Sequence, residues 1–307
     1  MKLIIDTDPG IDDAMAYFYA HAAKALDVVG LTTVFGNVTV EDAVRNALWM
    51  VENSGASAGV YGGHRVPLQI TPNEPSAYVH GARGFGDYEI DEPKGKASDM
   101  PAAEYLVQAA RQTPGELTVC AVGPLTNIAL AIQKDPEFVS NLHQLVIMGG
   151  ALDAPGNVTA YAEANFWNDP HAADIVVNAP GGGKIVIVGL DVTDKIAFTP
   201  QDFLDVAKAS PKIGGFLNEI GKFYMDFYQQ RSGEFFCSLH DPAAVIACHK
   251  PDLFKMEEVA LSVATEGEKI GNMERRAEGG GRKCFVCVRA KSDAVVRQYK
   301  EVVALNP

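Results

Sequence analysis

Four carboxylates crowd the first residues of the chain: Asp6, Asp8, Asp12 and Asp13 stand in Leu3-Ile-Ile-Asp-Thr-Asp-Pro-Gly-Ile-Asp-Asp-Ala14, around a Pro-Gly break. Helix N-terminal polarity stabilises a nearby acid by at most about 2 kcal/mol, too little to hold all four ionised together. The cluster therefore asks for a cation. Oxygen ligands of this kind suit a hard divalent ion, Ca²⁺ or Mg²⁺. Leu3 to Ile5 reads as a buried strand, Pro9-Gly10 as a tight turn, and Ile11 to Leu26 as a helix with apolar residues at helical spacing. The acids then occupy a strand-to-helix corner. In an open α/β sheet such corners lie at the carboxyl edge of the strands, where ligands bind.

Strand-like and helix-like segments alternate beyond this corner. They run Val28 to Val34, helix Glu41 to Asn53, Ala58 to Tyr61, helix Ala102 to Gln112, Leu117 to Val122, helix Thr126 to Gln133 and Gln144 to Met148. Helix Pro170 to Asn178, strand Lys184 to Leu190 and helices Gln201 to Ala209, Ile213 to Gln230 and Pro242 to His249 follow. The pattern predicts an α/β fold, a mostly parallel open sheet with helices on both faces. Val259 to Ala264 and Cys284 to Arg289 read as a late antiparallel pair around a polar loop, Glu266 to Arg282, before a last helix from about Asp293. No linker divides residues 1–307, and the only runs of three glycines are Gly181 to Gly183 and Gly279 to Gly281, so one domain is expected. Mobile loops are expected near 70–100, too long for an ordinary connection, and near 224–240.

Composition narrows the partners. A net charge of −13 argues against nucleic acid or an acidic membrane surface, and no apolar run approaches the roughly 18 residues of a membrane span. The N-terminus lacks the basic region, apolar stretch and cleavage site of a leader, so the reading is a cytoplasmic protein. Five cysteines, odd in number and set among apolar residues, read as reduced thiols. Cys284 and Cys287, three apart in a strand, point to opposite faces and make a poor metal pair.

Each strand end delivers polar groups to the same edge: Phe35-Gly36-Asn37, Val122-Gly123-Pro124 and Met148-Gly149-Gly150. Glycine there allows close backbone approach, and the Val122 carbonyl can face a hard cation. Asn157, Glu163, Asn165 and Asn168 crowd one loop with short hydrogen-bonding side chains that suit sugar hydroxyls. At His240-Asp241-Pro242 a carboxylate beside an imidazole opens a helix, with Asp241 as cap and Pro242 at the first helical position. The same pair suits a metal ligand beside a proton donor.

Asp6-Thr-Asp8-Pro-Gly-Ile-Asp12-Asp13-Ala14 resembles the N-terminal signature of the nucleoside hydrolases, the inosine-uridine preferring family. Phe35-Gly36-Asn37, His80-Gly81, Val122 to Asn127, Met148 to Gly150, Glu163-Ala-Asn165, Val188 to Thr193 and His240-Asp-Pro-Ala243 are similar to the family's blocks in order and spacing. The resemblance implies the nucleoside hydrolase fold, with its Rossmann-like core, and Ca²⁺ held by Asp8, Asp13, Asp241 and the Val122 carbonyl. It implies Asp8 as general base and His240 as donor to the leaving base. Asp12, Asn37, Met148, Asn157, Glu163 and Asn165 would hold the ribose; His80, Tyr224 and Tyr228 would lie with His240 at the base end. Asp6 would support the ligands from behind. The implied reaction is Ca²⁺-dependent hydrolysis of ribonucleosides to ribose and a free purine or pyrimidine, by a homodimer or homotetramer. Residue types agree, since nearby carboxylates stabilise an oxocarbenium-like sugar.

Two alternatives use the same residues. Asp6-x-Asp8 after a strand, with Asp191 and Asp194 later, imitates an aspartate-nucleophile phosphatase, although Pro9-Gly10-Ile-Asp12-Asp13 is foreign to that class. A nucleoside-binding protein on the same fold would keep the sugar contacts without turnover. The helix Ala43 to Val51 with Trp49 is open to two uses, core packing or a subunit interface.

Overall fold

The computed structural model describes residues 1–276 and 280–306, so Gly279 and the middle of the loop before Arg282 lie outside the described residues. Strands β1 (Lys2–Thr7), β2 (Asp27–Thr33), β3 (Gly59–Tyr61), β4 (Leu117–Ala121), β5 (Gln144–Met148) and β6 (Ile185–Val188) run parallel. A small antiparallel pair, β7 (Ala197–Phe198) and β8 (Cys237–Ser238), stands apart. β9 (Phe254–Val263), β10 (Met273–Arg275) and β11 (Lys283–Ala290) complete the main sheet, β11 parallel to β6 and β9 antiparallel to both its neighbours. The sheet order is β10, β9, β11, β6, β5, β4, β1, β2, β3. From β1 the chain builds outward through β2 and β3, then returns to lay β4 on the other side. That reversal opens a crevice at the carboxyl ends of β1 and β4.

The helices are α1 (Ile11–Ala22), α2 (Val40–Ser54), α3 (Ala77–His80), α4 (Ala102–Gln112), α5 (Thr126–Lys134), α6 (Phe138–Asn141) and α7 (Ala164–Asn168). They continue as α8 (Pro170–Val177), α9 (Leu190–Thr193), α10 (Pro200–Ala209), α11 (Ile213–Ser232), α12 (His240–His249) and α13 (Ser292–Val303). Strand alternation sorts side chains into two cores. Leu3 and Ile5 enter the one shared with α1, α2, α11, α12 and α13; Ile4 enters the one shared with α4, α5, α6 and α8. Cys287 and Cys284 fall into these opposite cores, as their spacing requires, and the five cysteines are free and buried.

Several expected boundaries move. Helix α1 stops at Ala22 because Ala23 turns extended and a tight turn returns Leu26 to the core ahead of β2. α12 starts at His240, so Asp241 is inside the first turn and caps nothing; its carboxylate is left for the pocket. β9 begins five residues earlier than the apolar pattern suggested, because its first half alternates exposed charges such as Lys255 with buried Phe254. β10 was hidden by its own composition, Met-Glu-Arg, in the loop expected to be irregular. Of the stretch 224–240 expected as a mobile loop, residues up to Ser232 continue α11.

Trp49 resolves to core packing. It is 9% exposed, with its ring 4.7 Å from Phe216 and 5.9 Å from Phe85. Trp49→Ala should cost about 3–5 kcal/mol of unfolding free energy by urea titration; a loss below about 1 kcal/mol would contradict this packing.

Candidate active site

The site starts from the corner between β1 and α1. Gly10 precedes α1 and has no side chain to cap it, so Asp13 reaches back instead. Its Oδ2 accepts from the Gly10 N–H at 2.9 Å and from Asn37 Nδ2 at 3.1 Å; its Oδ1 accepts from Thr7 Oγ1 at 2.5 Å and the Asp8 N–H at 3.3 Å. Asp8 Oδ2 accepts from the Asn37 N–H at 2.6 Å, and Asp8 Oδ1 has no partner. Glycine is demanded on both sides of this carboxylate: a Cβ at Gly36 would stand 2.1 Å from Asp8 Oδ2, and one at Gly123 would stand 2.6 Å from Oδ1. Behind it, Asp6 Oδ1 accepts from Thr32 Oγ1 and Asn127 Nδ2, at 2.5 and 2.8 Å.

Two loops complete the wall. Glu163 caps α7 and accepts from the N–H groups of Gly150, Asn165 and Phe166 at 2.9, 2.8 and 3.1 Å. Asn165 Nδ2 then donates to the carbonyls of Val122 and Met148, at 2.8 and 3.2 Å, joining the ends of β4 and β5. Asn157 Oδ1 accepts from the Ala164 N–H at 2.9 Å. From the long 70–100 connection, α3 brings His80 over the corner, where its Nδ1 accepts from the Ile11 N–H at 3.2 Å. Asn46 of α2 holds that connection down, its Nδ2 donating to the carbonyls of Pro9 at 3.0 Å and Arg83 at 2.7 Å.

The pocket above is walled by Asp12, Asn37, His80, Val122, Met148, Asn157, Glu163, Asn165, Tyr224, Tyr228, His240 and Asp241. Asp6, Asp8 and Asp13 are buried but stand outside this wall, behind it. The three carboxylates whose oxygens gather within 4.8 Å of one another are Asp12, Asp13 and Asp241, and Asp8 adjoins them through the hydrogen bond from its N–H to Asp13, with its own Oδ1 unpartnered. Sequence reading also missed wall residues Tyr78, Val79, Phe227 and Arg231. A signal for two of them existed: Phe227 and Arg231 continue the helical spacing of Tyr224 and Tyr228. The aromatic ring beside Tyr228 from the following loop is Phe236, at 6.0 Å, while Phe235 is 42% exposed.

Burial dominates the electrostatics. It pushes the carboxyls of Asp8 and Asp241 well above the carboxylate range, with repulsion from neighbouring acids adding to the rise, and lifts Asp13 to about 6 and Asp6 and Glu163 to about 7. Burial also lowers His80 to about 4 and pushes His240 down, so both imidazoles are neutral near pH 7. His240 is held at both nitrogens, Nδ1 against Thr193 Oγ1 at 2.8 Å and Nε2 against Tyr228 Oη at 2.7 Å. Tyr224 Oη donates to Asp12 Oδ2 at 3.2 Å, and Asp12 Oδ1 is unpartnered. Buried carboxylates this close together, with oxygens that no donor reaches, fit a hard cation, and an all-oxygen donor set suits Ca²⁺.

Fold and site thus define a pocket with a hard-cation site at its acid end, at the switch point of an open α/β sheet. The chain belongs to the inosine-uridine preferring nucleoside hydrolase family, whose sequence model matches residues 3–297. It is 41% identical over 272 residues to uridine nucleosidase 1 of Arabidopsis thaliana, covering 88% of this chain and 80% of that one. It is 38% identical over 270 residues to the non-specific ribonucleoside hydrolase RihC of Salmonella schwarzengrund, covering 87% and 85%. Among solved structures, a plant nucleoside hydrolase, the PpNRh1 enzyme, superposes with a TM-score of 0.95 at 35% identity over 99% of this chain and 98% of that one. A purine-preferring ribonucleoside hydrolase from Gardnerella vaginalis superposes with a TM-score of 0.94 at 32% identity, over 99% and 98%. The protein is a glycosidase that hydrolyses ribonucleosides with Ca²⁺ as cofactor. The phosphatase reading falls with this, and Asp191 instead accepts from the N–H groups of Leu152, Asp153 and Ala154.

Two outcomes follow from the geometry. Asn46→Ala leaves the buried Pro9 carbonyl and the partly buried Arg83 carbonyl unpaired and should cost about 1–3 kcal/mol in urea unfolding; a change under about 0.5 kcal/mol would show the clamp to be idle. The raised acids set a pH dependence. In the calcium-free fold Asp13, Asp6 and Glu163 keep protons that the unfolded chain releases from about pH 4, so their contribution to stability falls as pH rises from about 4 to about 7. Melting with and without Ca²⁺ should therefore show a larger calcium-induced rise at pH 7.5 than at pH 5, and equal rises would refute it.

Proposed function

We propose that the pocket divides one reaction among its residues, with ribose over the acid cluster and the base toward Tyr228 and His240. The observation that carries this reading is the pair of buried, unpartnered oxygens, Asp8 Oδ1 and Asp12 Oδ1, beside Asp13 and Asp241 at one end of a pocket lined by Asn37, Asn157, Glu163 and Asn165. Asp8, Asp13, Asp241 and the Val122 carbonyl would hold the calcium ion, with Asp6 supporting them from behind. When bound, the ion supplies two positive charges that offset the crowded carboxylates and make water more acidic.

Asp12, Asn37, Asn157, Glu163 and Asn165 hold the sugar hydroxyls, and Met148 packs against the ring. Asp8 takes a proton from the attacking water, whose oxygen bonds to C1′. The C1′–N bond breaks with its electron pair leaving on the base. Positive charge developing on the sugar is stabilised by the carboxylates beneath it. The base departs against Tyr228: the neutral His240 imidazole donates its Nε2–H to Tyr228 Oη and accepts from Thr193 at Nδ1, which leaves the phenol hydrogen free to bond the departing base, and the base takes its proton from water. His80, whose Nδ1 accepts from the Ile11 N–H, carries its remaining hydrogen on Nε2 and positions the sugar and base without charge.

Uridine is the first substrate to try, since relatives of about two-fifths identity carry uridine nucleosidase in their names. No helix among the described residues is long and apolar enough to cross a membrane. We place the enzyme in the cytoplasm as one continuous domain, assembled as a homodimer or homotetramer, with the 70–100 connection closing over bound nucleoside. Release of ribose should be measured with uridine, cytidine, inosine, adenosine and guanosine, with and without chelator. Asp8→Ala should lower kcat by about 10²–10⁴, and added Ca²⁺ should rescue chelated wild type but not the variant. Turnover by Asp8→Ala within about tenfold of wild type would remove Asp8 from the role of base.

A further inference from the structure

We infer that Arg231 is a specificity-determining residue that reads a ring carbonyl of the leaving base, so that the pocket favours nucleosides of oxo-bases over those of amino-bases. This rests on the reading that the base lies toward Tyr228 and His240. Helix α11 lays one stripe along the pocket, Tyr224, Tyr228 and Arg231, at the spacing that keeps residues on one helix face. The stripe has a direction. Tyr224 Oη donates to Asp12 at the acid end, Tyr228 Oη meets His240 further out, and Arg231 is the next turn beyond them.

Among the described residues Arg231 is the one lysine or arginine in the pocket wall, while the wall's carboxylates, Asp12, Glu163 and Asp241, stand at the sugar end. It takes no part in the ion pairs formed among the described residues, so its guanidinium is uncommitted. The pocket is therefore polarised, negative beneath the sugar and positive beyond the base.

A guanidinium has five N–H donors and no acceptor. It can pair with the ring carbonyl of uracil or hypoxanthine. Facing the amino group of cytosine or adenine at the corresponding position, it sets donor against donor. His240 does not duplicate this selection, because Thr193 and Tyr228 occupy both its nitrogens. The contact also tightens during reaction. As the C1′–N bond breaks, its electron pair enters the base ring and spreads onto a carbonyl oxygen, where a fixed positive charge stabilises it. An amino-substituted ring has no such oxygen at that edge. The discrimination therefore falls on kcat as well as KM.

Arg231 is exposed at the rim, so its replacement leaves the folded core untouched. The test is kcat and KM for uridine, cytidine, inosine and adenosine on wild type, Arg231→Gln and Arg231→Lys, with melting temperatures measured in parallel. Wild type should prefer uridine to cytidine and inosine to adenosine. Arg231→Gln should lower kcat/KM for uridine and inosine by roughly ten- to a hundredfold, the range of one charged hydrogen bond. Both oxo-to-amino ratios should then collapse toward one, with Arg231→Lys intermediate. Equal losses on all four substrates, unchanged ratios, or a wild type indifferent to oxo and amino bases would each overturn the inference. Failure of the wild type to cleave any nucleoside would instead overturn the placement of the base, and the inference with it.

Discussion

Repulsion among buried acids is the constraint on which this molecule is built. Asp6, Asp8, Asp12, Asp13 and Asp241 are each no more than 6% exposed, and removal from water raises the free energy of every one in its ionised form. Two charges at 4 Å in a site of moderate dielectric interact by about 4 kcal/mol, so no arrangement of hydrogen bonds alone keeps so many of them ionised. The fold accepts this conflict at the single place where a cation relieves it. Elsewhere it removes the conflict with neutral donors, as with Asp169, whose carboxylate accepts from Leu68, Thr126 and Ala172.

Those neutral donors also give the site its rigidity. Asn127 donates to Asp6 and to the Thr33 carbonyl, at 2.8 Å each, while accepting from the His64 N–H, so one carboxamide fixes the ends of two strands. Asn165 does the same for β4 and β5, and Asn46 for the acid corner and the connection bearing His80. Each uses an uncharged side chain that reaches two backbone groups without adding to the field. A lysine or arginine in these positions would offset the acids permanently and leave no need for the metal.

Chemistry was more legible in the sequence than geometry was. The Asp6 to Asp13 cluster announced a cation site because four acids in so short a span are electrostatically untenable alone, and alternation of strand and helix patterns announced the sheet. Cys284 and Cys287 were separable by parity alone. β10 was invisible because a three-residue strand of Met-Glu-Arg carries no periodic signal. The displaced start of α12 was a different failure: Asp241-Pro242 reads locally as a cap, and tertiary demand for that carboxylate overrides the local preference. Arg231 escaped notice because an exposed arginine near a helix end is ordinary until its helix is known to line a pocket.

Asp241 shows why the site needs the whole chain. It arrives on α12, far along the sequence from the corner it completes, and nothing near it in sequence can set its position to within the reach of a metal ion. Packing does so. α12 lies in the same core as α1, and its C-terminal end is tied by Gln144 Nε2 to the Cys248 carbonyl at 2.8 Å and by His249 Nε2 to Tyr19 Oη at 2.8 Å. Tyr19 belongs to α1, the helix that also carries Asp12 and Asp13. The two halves of the acid cluster are thus braced by their own helices, through a shared core and through the Tyr19–His249 contact at the end of α12 far from Asp241. A bound cation adds a third tie between them, so metal affinity and the stability of the α1 and α12 packing are linked quantities rather than separate ones.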